Sequence, residues 1–167
     1  KDNIRPAVLS EADDEVLEEI LSSLSSKEIS EDVIDGLDSD DAANIIGSLP
    51  EDKMMDVMSQ AKDKDSVADI LSLLSYPEGS AGALMAKELV KENENWTVLK
   101  CLSEIKKQGE NVTRVHSIYV VDNKDRLIGR LSLKDLITSP SKNKIKDIYI
   151  PKVDSVNVLE NGEDIAK

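Results

Sequence analysis

The chain has 167 residues and a formal net charge of −13, with 34 Asp and Glu against 21 Lys and Arg. It is 40% hydrophobic but only 2% aromatic and has no Phe, so its core is built from Leu, Ile, Val, Met and Ala. That length buries a real core, and the acidic balance excludes nucleic acid and anionic membrane surfaces as partners, since both need clustered Lys and Arg.

No apolar run approaches the ~18 residues that cross a bilayer, and no leader pattern opens the chain. As it stands, the chain reads as soluble, with no direct membrane insertion. The single Cys101 has no second cysteine to pair with, which fits a reducing compartment. Charge is unevenly spread. Residues 1–82 hold 21 carboxylates against 6 basic side chains, a net of −15, and residues 83–167 hold 13 against 15, a net of +2.

In the acidic half, two apolar residues followed by a third at i+4 recur as Ile20-Leu21/Leu24, Val33-Ile34/Leu37, Ile45-Ile46/Leu49, Met54-Met55/Met58 and Ile70-Leu71/Leu74. Such positions share one helical stripe. The spacing predicts helices of two or three turns, too short to persist alone, so they must stack as a superhelix. Asp38 to Asp41 supplies a cap cluster before Ala42, and Pro50-Glu51 opens the next helix. The methionines at 54, 55 and 58 fall on apolar repeat positions and read as core filler.

The carboxylates are the candidate binding groups. Hard cations such as Mg²⁺ take oxygen ligands, and Mg²⁺ keeps several waters while touching one or two carboxylates. First-turn acidic residues also stabilise a helix through its dipole by ~0.3–1 kcal/mol, which accounts for single positions without any ion.

At Tyr76–Met85, reading YPEGSAGALM, the chain changes character and a hinge is expected. Beyond it the order is strand, helix, strand, strand, helix. Leu89-Val90 opens a strand, and Trp96-Thr97 opens a helix whose apolar face holds Val98, Leu99, Cys101, Leu102 and Ile105. Residues 117–122 and 126–132 form a hairpin about Asn123-Lys124-Asp125, and a helix begins at Leu133. Cys101 reads as a small buried hydrophobe, and His116, without a second His or Cys nearby, as no metal ligand. No nucleophile–base pair, P-loop or Cys/His cluster is present, so no catalytic residue is assigned and an enzyme is not expected.

YPEGSAGALM resembles the segment that joins the intracellular helical domain of MgtE-type magnesium transporters to their paired cystathionine-β-synthase (CBS) motifs. Ser39-Asp40-Asp41-Ala42-Ala43-Asn44 followed by Leu49-Pro50-Glu51 is similar to that family's Pro-Asp-Asp-x-Ala-Asp and Leu-Pro-Glu elements. The Ile118–Asp122 and Gly129–Leu136 stretches resemble a CBS motif. The resemblance implies three parts: an acidic helical-repeat domain over 1–78, a first CBS motif with its connecting helix over 79–140, and the truncated start of a second over 141–167. The expected fold is α+β, an all-α superhelical N domain followed by an α/β CBS motif.

The resemblance further implies Mg²⁺ at Asp40, Asp41 and Asn44, where the family has Asp in place of Asn44. It implies an adenine nucleotide such as ATP at Ser132 and Asp135, although these two residues also suit a plain helix cap. It implies a homodimer through CBS motifs and a transmembrane pore domain as partners, on the cytoplasmic side of the cell membrane. With the second motif incomplete, exposed apolar surface is expected to drive dimerisation or leave 152–167 mobile. The leading expectation is a Mg²⁺-sensing regulatory region that gates by ion bridging of acidic faces. The alternatives are a nucleotide-sensing CBS module with a helical adaptor and no ion role, and a helical scaffold that binds neither.

Overall fold

The computed structural model describes residues 5–108 and 117–166; the sequence reading of His116 lies outside the described residues. The chain divides into two compact units, 1–87 together with 156–167, and 88–155.

The first unit is helical. Its helices are α1 (Arg5–Glu11), α2 (Asp14–Ser23), α3 (Ser26–Ile29), which runs into one π turn (Ser30–Ile34), α4 (Ser39–Gly47), α5 (Glu51–Gln60), α6 (Lys64–Leu74) and α7 (Ala81–Leu84). Four of them, α2, α3, α6 and α7, start where a polar side chain accepts an orphan N–H group. Asp13 accepts from Val16 N at 3.2 Å, Asp63 from Asp65 N at 2.9 Å, and Ser25 and Glu28 form a reciprocal capping box. At its other end α2 is closed from a distance: the Lys53 ammonium of α5 donates to Leu21 O at 2.7 Å.

Packing runs between helices two apart in sequence, α3 with α5 and α4 with α6, as a superhelix of short helices requires. Leu21, Val33, Ile34, Ile45, Ile46 and Ile70 are buried in one continuous core. Each such side chain contributes about 1.5–3 kcal/mol of burial. The last two repeats correct the sequence reading. In α5 the inward stripe is Met54, Val57 and Met58, and Met55 is 64% exposed. In α6 it is Val67, Ile70 and Leu73, with Leu71 and Leu74 exposed. At about 100° per residue Met55 and Leu71 turn away from Met54 and Ile70, while Leu74, on the Ile70 stripe but the last residue of α6, is left partly uncovered.

The hinge motif has a compact internal logic. Ser80 caps α7 by accepting from Ala83 N, and the Tyr76 ring lies against the backbone of Gly82 so closely that a Cβ there would sit 2.6 Å from the ring. The backbone of this turn also holds the chain end. Ala81 N donates to Glu160 O at 2.8 Å, Gly82 N to Val158 O at 2.7 Å, and Gly162 N to Gly79 O at 2.8 Å. Residues 156–166, within the stretch expected to be mobile, are thus held by backbone hydrogen bonds and end in the short helix α10 (Gly162–Ile165).

The second unit is a three-stranded sheet in the order β1 (Val90–Asn93), β2 (Ser117–Val121), β3 (Leu127–Ser132). β1 and β2 are parallel with Val90 opposite Ile118, and α8 (Val98–Gln108) lies between them in sequence. β2 and β3 form the expected hairpin, with an irregularity between Val120 and Val121. Its turn is organised by Asp122, whose carboxylate accepts from Lys124 N, Arg126 N and the Arg126 guanidinium; these bonds hold its pKa below the usual carboxylate value. α9 (Leu133–Thr138) follows β3 directly.

Val98, Cys101, Leu102 and Ile105 of α8 face the core, whereas Leu99 is 64% exposed, so that residue is removed from the expected apolar face. Cys101 is fully buried, and burial pushes its thiol up to about 12. Ile145, where sequence places the opening of a second repeat, closes this same core, and Tyr149 packs beside it. Gly129, at the start of the stretch that resembles a CBS motif, stands where a second side chain crosses the sheet. It makes room for Tyr149, whose ring would lie 2.3 Å from a Cβ, while Ile150 pairs with Arg130.

Gly82→Ala is expected to lower stability by ~1–3 kcal/mol through overpacking on the Tyr76 ring. In a Tyr76→Ala background the same change should be close to neutral. Urea unfolding of the four chains measures that coupling.

Candidate functional site

Two places collect the sequence-identified residues, one in each unit. In the helical unit it is the start of α4. Asp40 and Asp41 stand in its first turn behind Asp38, and Asn44 follows one turn later, on the face it shares with Asp40 and Asp41. Tertiary packing adds Glu11, the last residue of α1, because α1 packs on α4. The Asp41 carboxyl is pushed above its ordinary value, first by burial and then by repulsion from Asp40, Asp38 and Glu11. Nothing local in the sequence connects Glu11 to Asp41, which lies 30 residues further on, so the pattern alone does not bring it to this site.

The crowding has a definite sign. A carboxyl whose folded pKa is raised is stabilising when protonated, and that contribution is lost as pH rises from the unfolded pKa through the folded one. At neutral pH the cluster therefore works against the fold, and a cation beside it would relieve the repulsion. Among the described residues no group of three or more His, Cys, Asp or Glu side chains is gathered as a cage for a bare ion. The donor chemistry fits a hydrated hard cation that touches one or two oxygens.

The same helix end carries a connection toward the hinge. Ser39, nearly buried, accepts from Lys87 N at 2.9 Å, and the Lys87 ammonium donates to Ser72 Oγ at 3.1 Å. The acidic turn and the far end of the hinge segment thus share one residue pair, Ser39 and Lys87.

In the second unit Ser132 and Asp135 meet at the corner from β3 to α9. Ser132 caps α9 by accepting from Asp135 N at 3.0 Å, and its hydroxyl donates to Asp135 Oδ2 at 2.7 Å. The capping role foreseen for this pair is present. The other carboxylate oxygen of Asp135, an exposed residue, makes no hydrogen bond among the described residues.

The comparisons with known proteins fit this architecture. The model of the MgtE intracellular N domain matches residues 1–79, and that of the CBS domain matches residues 81–142. The chain is homologous to MgtE transporters. It is 35% identical over 103 residues to the magnesium transporter MgtE of Enterococcus faecalis, and 35% over 105 residues to that of Thermus thermophilus. These alignments cover 62% and 63% of this chain but 23% of each relative, so the chain spans about a quarter of their length. Among solved structures, the cytosolic domain of the Mg²⁺ channel MgtE in complex with ATP superposes with a TM-score of 0.85 at 30% identity, over 96% of this chain and 65% of that one. The soluble part of a magnesium transporter superposes with a TM-score of 0.82 at 28% identity, over 97% and 65%. The helical N domain and CBS region are thus the architecture of MgtE cytosolic domains.

Asp40→Asn is expected to move the Asp41 titration back toward ordinary aspartate values and to raise the urea midpoint at neutral pH. Carboxyl ¹³C shifts followed against pH check the first effect, and an unmoved Asp41 midpoint would contradict the reading. Ser132→Ala should cost about 0.5–2 kcal/mol of stability with no nucleotide present, as the loss of a helix cap does.

Proposed function

We propose that this chain is a Mg²⁺-responsive regulatory region of an MgtE-type transporter, working on the cytoplasmic side of the membrane. The observation that carries it is the crowded carboxylate turn of Asp38, Asp40 and Asp41 with Glu11, in a unit of large negative charge. Homology to MgtE transporters supplies the ion, and hydrated Mg²⁺ is the cargo-derived signal that such carboxylates suit. At low Mg²⁺ the acidic faces repel one another and their neighbours. At high Mg²⁺ hydrated ions bridge those faces, with Asp40, Asp41 and Asn44 as donors here, and the assembly compacts and closes the pore. The Ser39–Lys87 bond is the means by which the α4 turn reports to the hinge segment.

Magnitudes require several ions. A site with a dissociation constant of ~1 mM contributes about 0.4 kcal/mol at ~1 mM Mg²⁺ and about 1.4 kcal/mol at ~10 mM. A near-complete switch needs ~5.5 kcal/mol, so one weak site is insufficient and a set of carboxylates must act together. In this reading the partner is the transporter's transmembrane pore domain; among the described residues no helix is long and apolar enough to cross a membrane. A second copy of the chain is the other partner, supported by exposed apolar side chains on the CBS unit such as Ile137, Leu127 and Ile150.

A second reading assigns the CBS unit to ATP or another adenine nucleotide. The free oxygen of Asp135 supports it, and so does the ATP complex of a structural neighbour. Ribose hydroxyls would donate to Asp135 while Ser132 holds that carboxylate in place. Neither reading involves catalysis.

Limited proteolysis across ~0–20 mM MgCl₂, with NaCl controls of equal ionic strength, separates these readings. Mg²⁺-specific protection of residues 76–87, weakened by Asp40→Ala, is the expected result. Equal digestion in both salts would overturn the ion reading. Nucleotide binding lost in Asp135→Ala, with no Mg²⁺ effect, would favour the second.

A further inference from the structure

The second unit holds a carboxylate that neither reading uses. Glu92 lies on β1 in line with Val90, on the face that the strand turns toward the core, and opposite Val120 of β2. Only 1% of the residue is exposed, and neither carboxylate oxygen has a hydrogen-bond partner among the described residues. An alternating strand calls for an apolar residue at this position. A buried polar group without a partner is unusual in a folded protein and demands a reason.

The charged and titratable groups around it are committed elsewhere. α8 presents Lys100, Cys101 and Glu104 to it. The Lys100 ammonium sits 3.6 Å from the centre of the Trp96 ring, held as a cation over an aromatic face. Glu104 takes the Lys107 ammonium at 2.8 Å and repels Glu92. Cys101 is neutral, with its thiol pushed up to about 12. β2 turns only Ile118 and Val120 inward.

We propose that Glu92 is a proton-operated latch of the CBS unit. Protonated, it stays buried beneath α8; ionised, it must reach water, and β1 loosens against α8 to let it. Burial first, and Glu104 second, push its carboxyl up to about 7, so the latch works across the neutral range. The sign follows from that direction. The contribution of the neutral acid is complete below the ordinary glutamate value of 4.5, declines as pH rises, and is spent above about 7. Across that span the opening equilibrium rises on the order of a hundredfold. This latch is independent of the Mg²⁺ reading, because its groups all lie in the other unit.

The test uses the full 167-residue chain. Carboxyl ¹³C shifts of the unmodified protein should place the Glu92 midpoint near 7, and Glu104→Gln should lower it. Alkylation of the single Cys101 by iodoacetamide reads the opening. At each pH from 6 to 8 the unmodified chain should react faster than Glu92→Gln, by a ratio that grows from roughly tenfold toward a hundredfold or more. A Glu92 midpoint near 4.5, or equal alkylation rates in the two chains throughout, would overturn the proposal.

Discussion

Helices of four to eleven residues cannot hold themselves together in water, and the whole N-terminal unit is made of them. Their stability comes from mutual burial of narrow aliphatic stripes, so each helix exists because another lies against it. With no phenylalanine available, the core is filled by Leu, Ile, Val and Met. Caps and long-range bonds complete the arrangement: the Lys53 ammonium closes the end of α2 from a helix 32 residues away. Such a unit responds as a whole, because displacing one short helix uncovers the stripe of the next.

That dependence makes the acidic turn of α4 consequential. Each of Asp38, Asp40 and Asp41 is favourable as a helix-start residue, yet together with Glu11 they crowd Asp41. The fold thus tolerates a local electrostatic conflict where Ser39 also holds Lys87 N. A cation acting there changes the balance of a helix end that is already joined to the hinge segment.

The CBS unit uses its polar residues differently. Ser132 and Asp135 satisfy each other as a cap through one carboxylate oxygen, and the second oxygen takes no part in that cap. Gly129 serves packing, since the ring of Tyr149 occupies the space a side chain would need. Glu92 is the one position in this small sheet where local pattern and residue type disagree. Disagreement of that kind in an otherwise consistent sequence points to function.

Elements, order and caps were legible in the sequence because they depend on contacts within about four residues. Five short helices on a recurrent apolar pattern, the hairpin around Asn123, and the cap at Ser132 all follow from such local rules. The inward sides of α5 and α6 were less legible: Met55 and Leu71 are as apolar as their neighbours, and only the packed partner helix decides which are covered. The nearness of Glu11 to Asp41 also required the tertiary structure, as did the burial of Glu92 and the return of residues 156–166 to the α7 turn. Residue type and spacing determined which helices and strands form and where charge accumulates. Which carboxylates are crowded or dry depended on chain segments far apart in sequence, whose approach is set by packing and leaves no local signature.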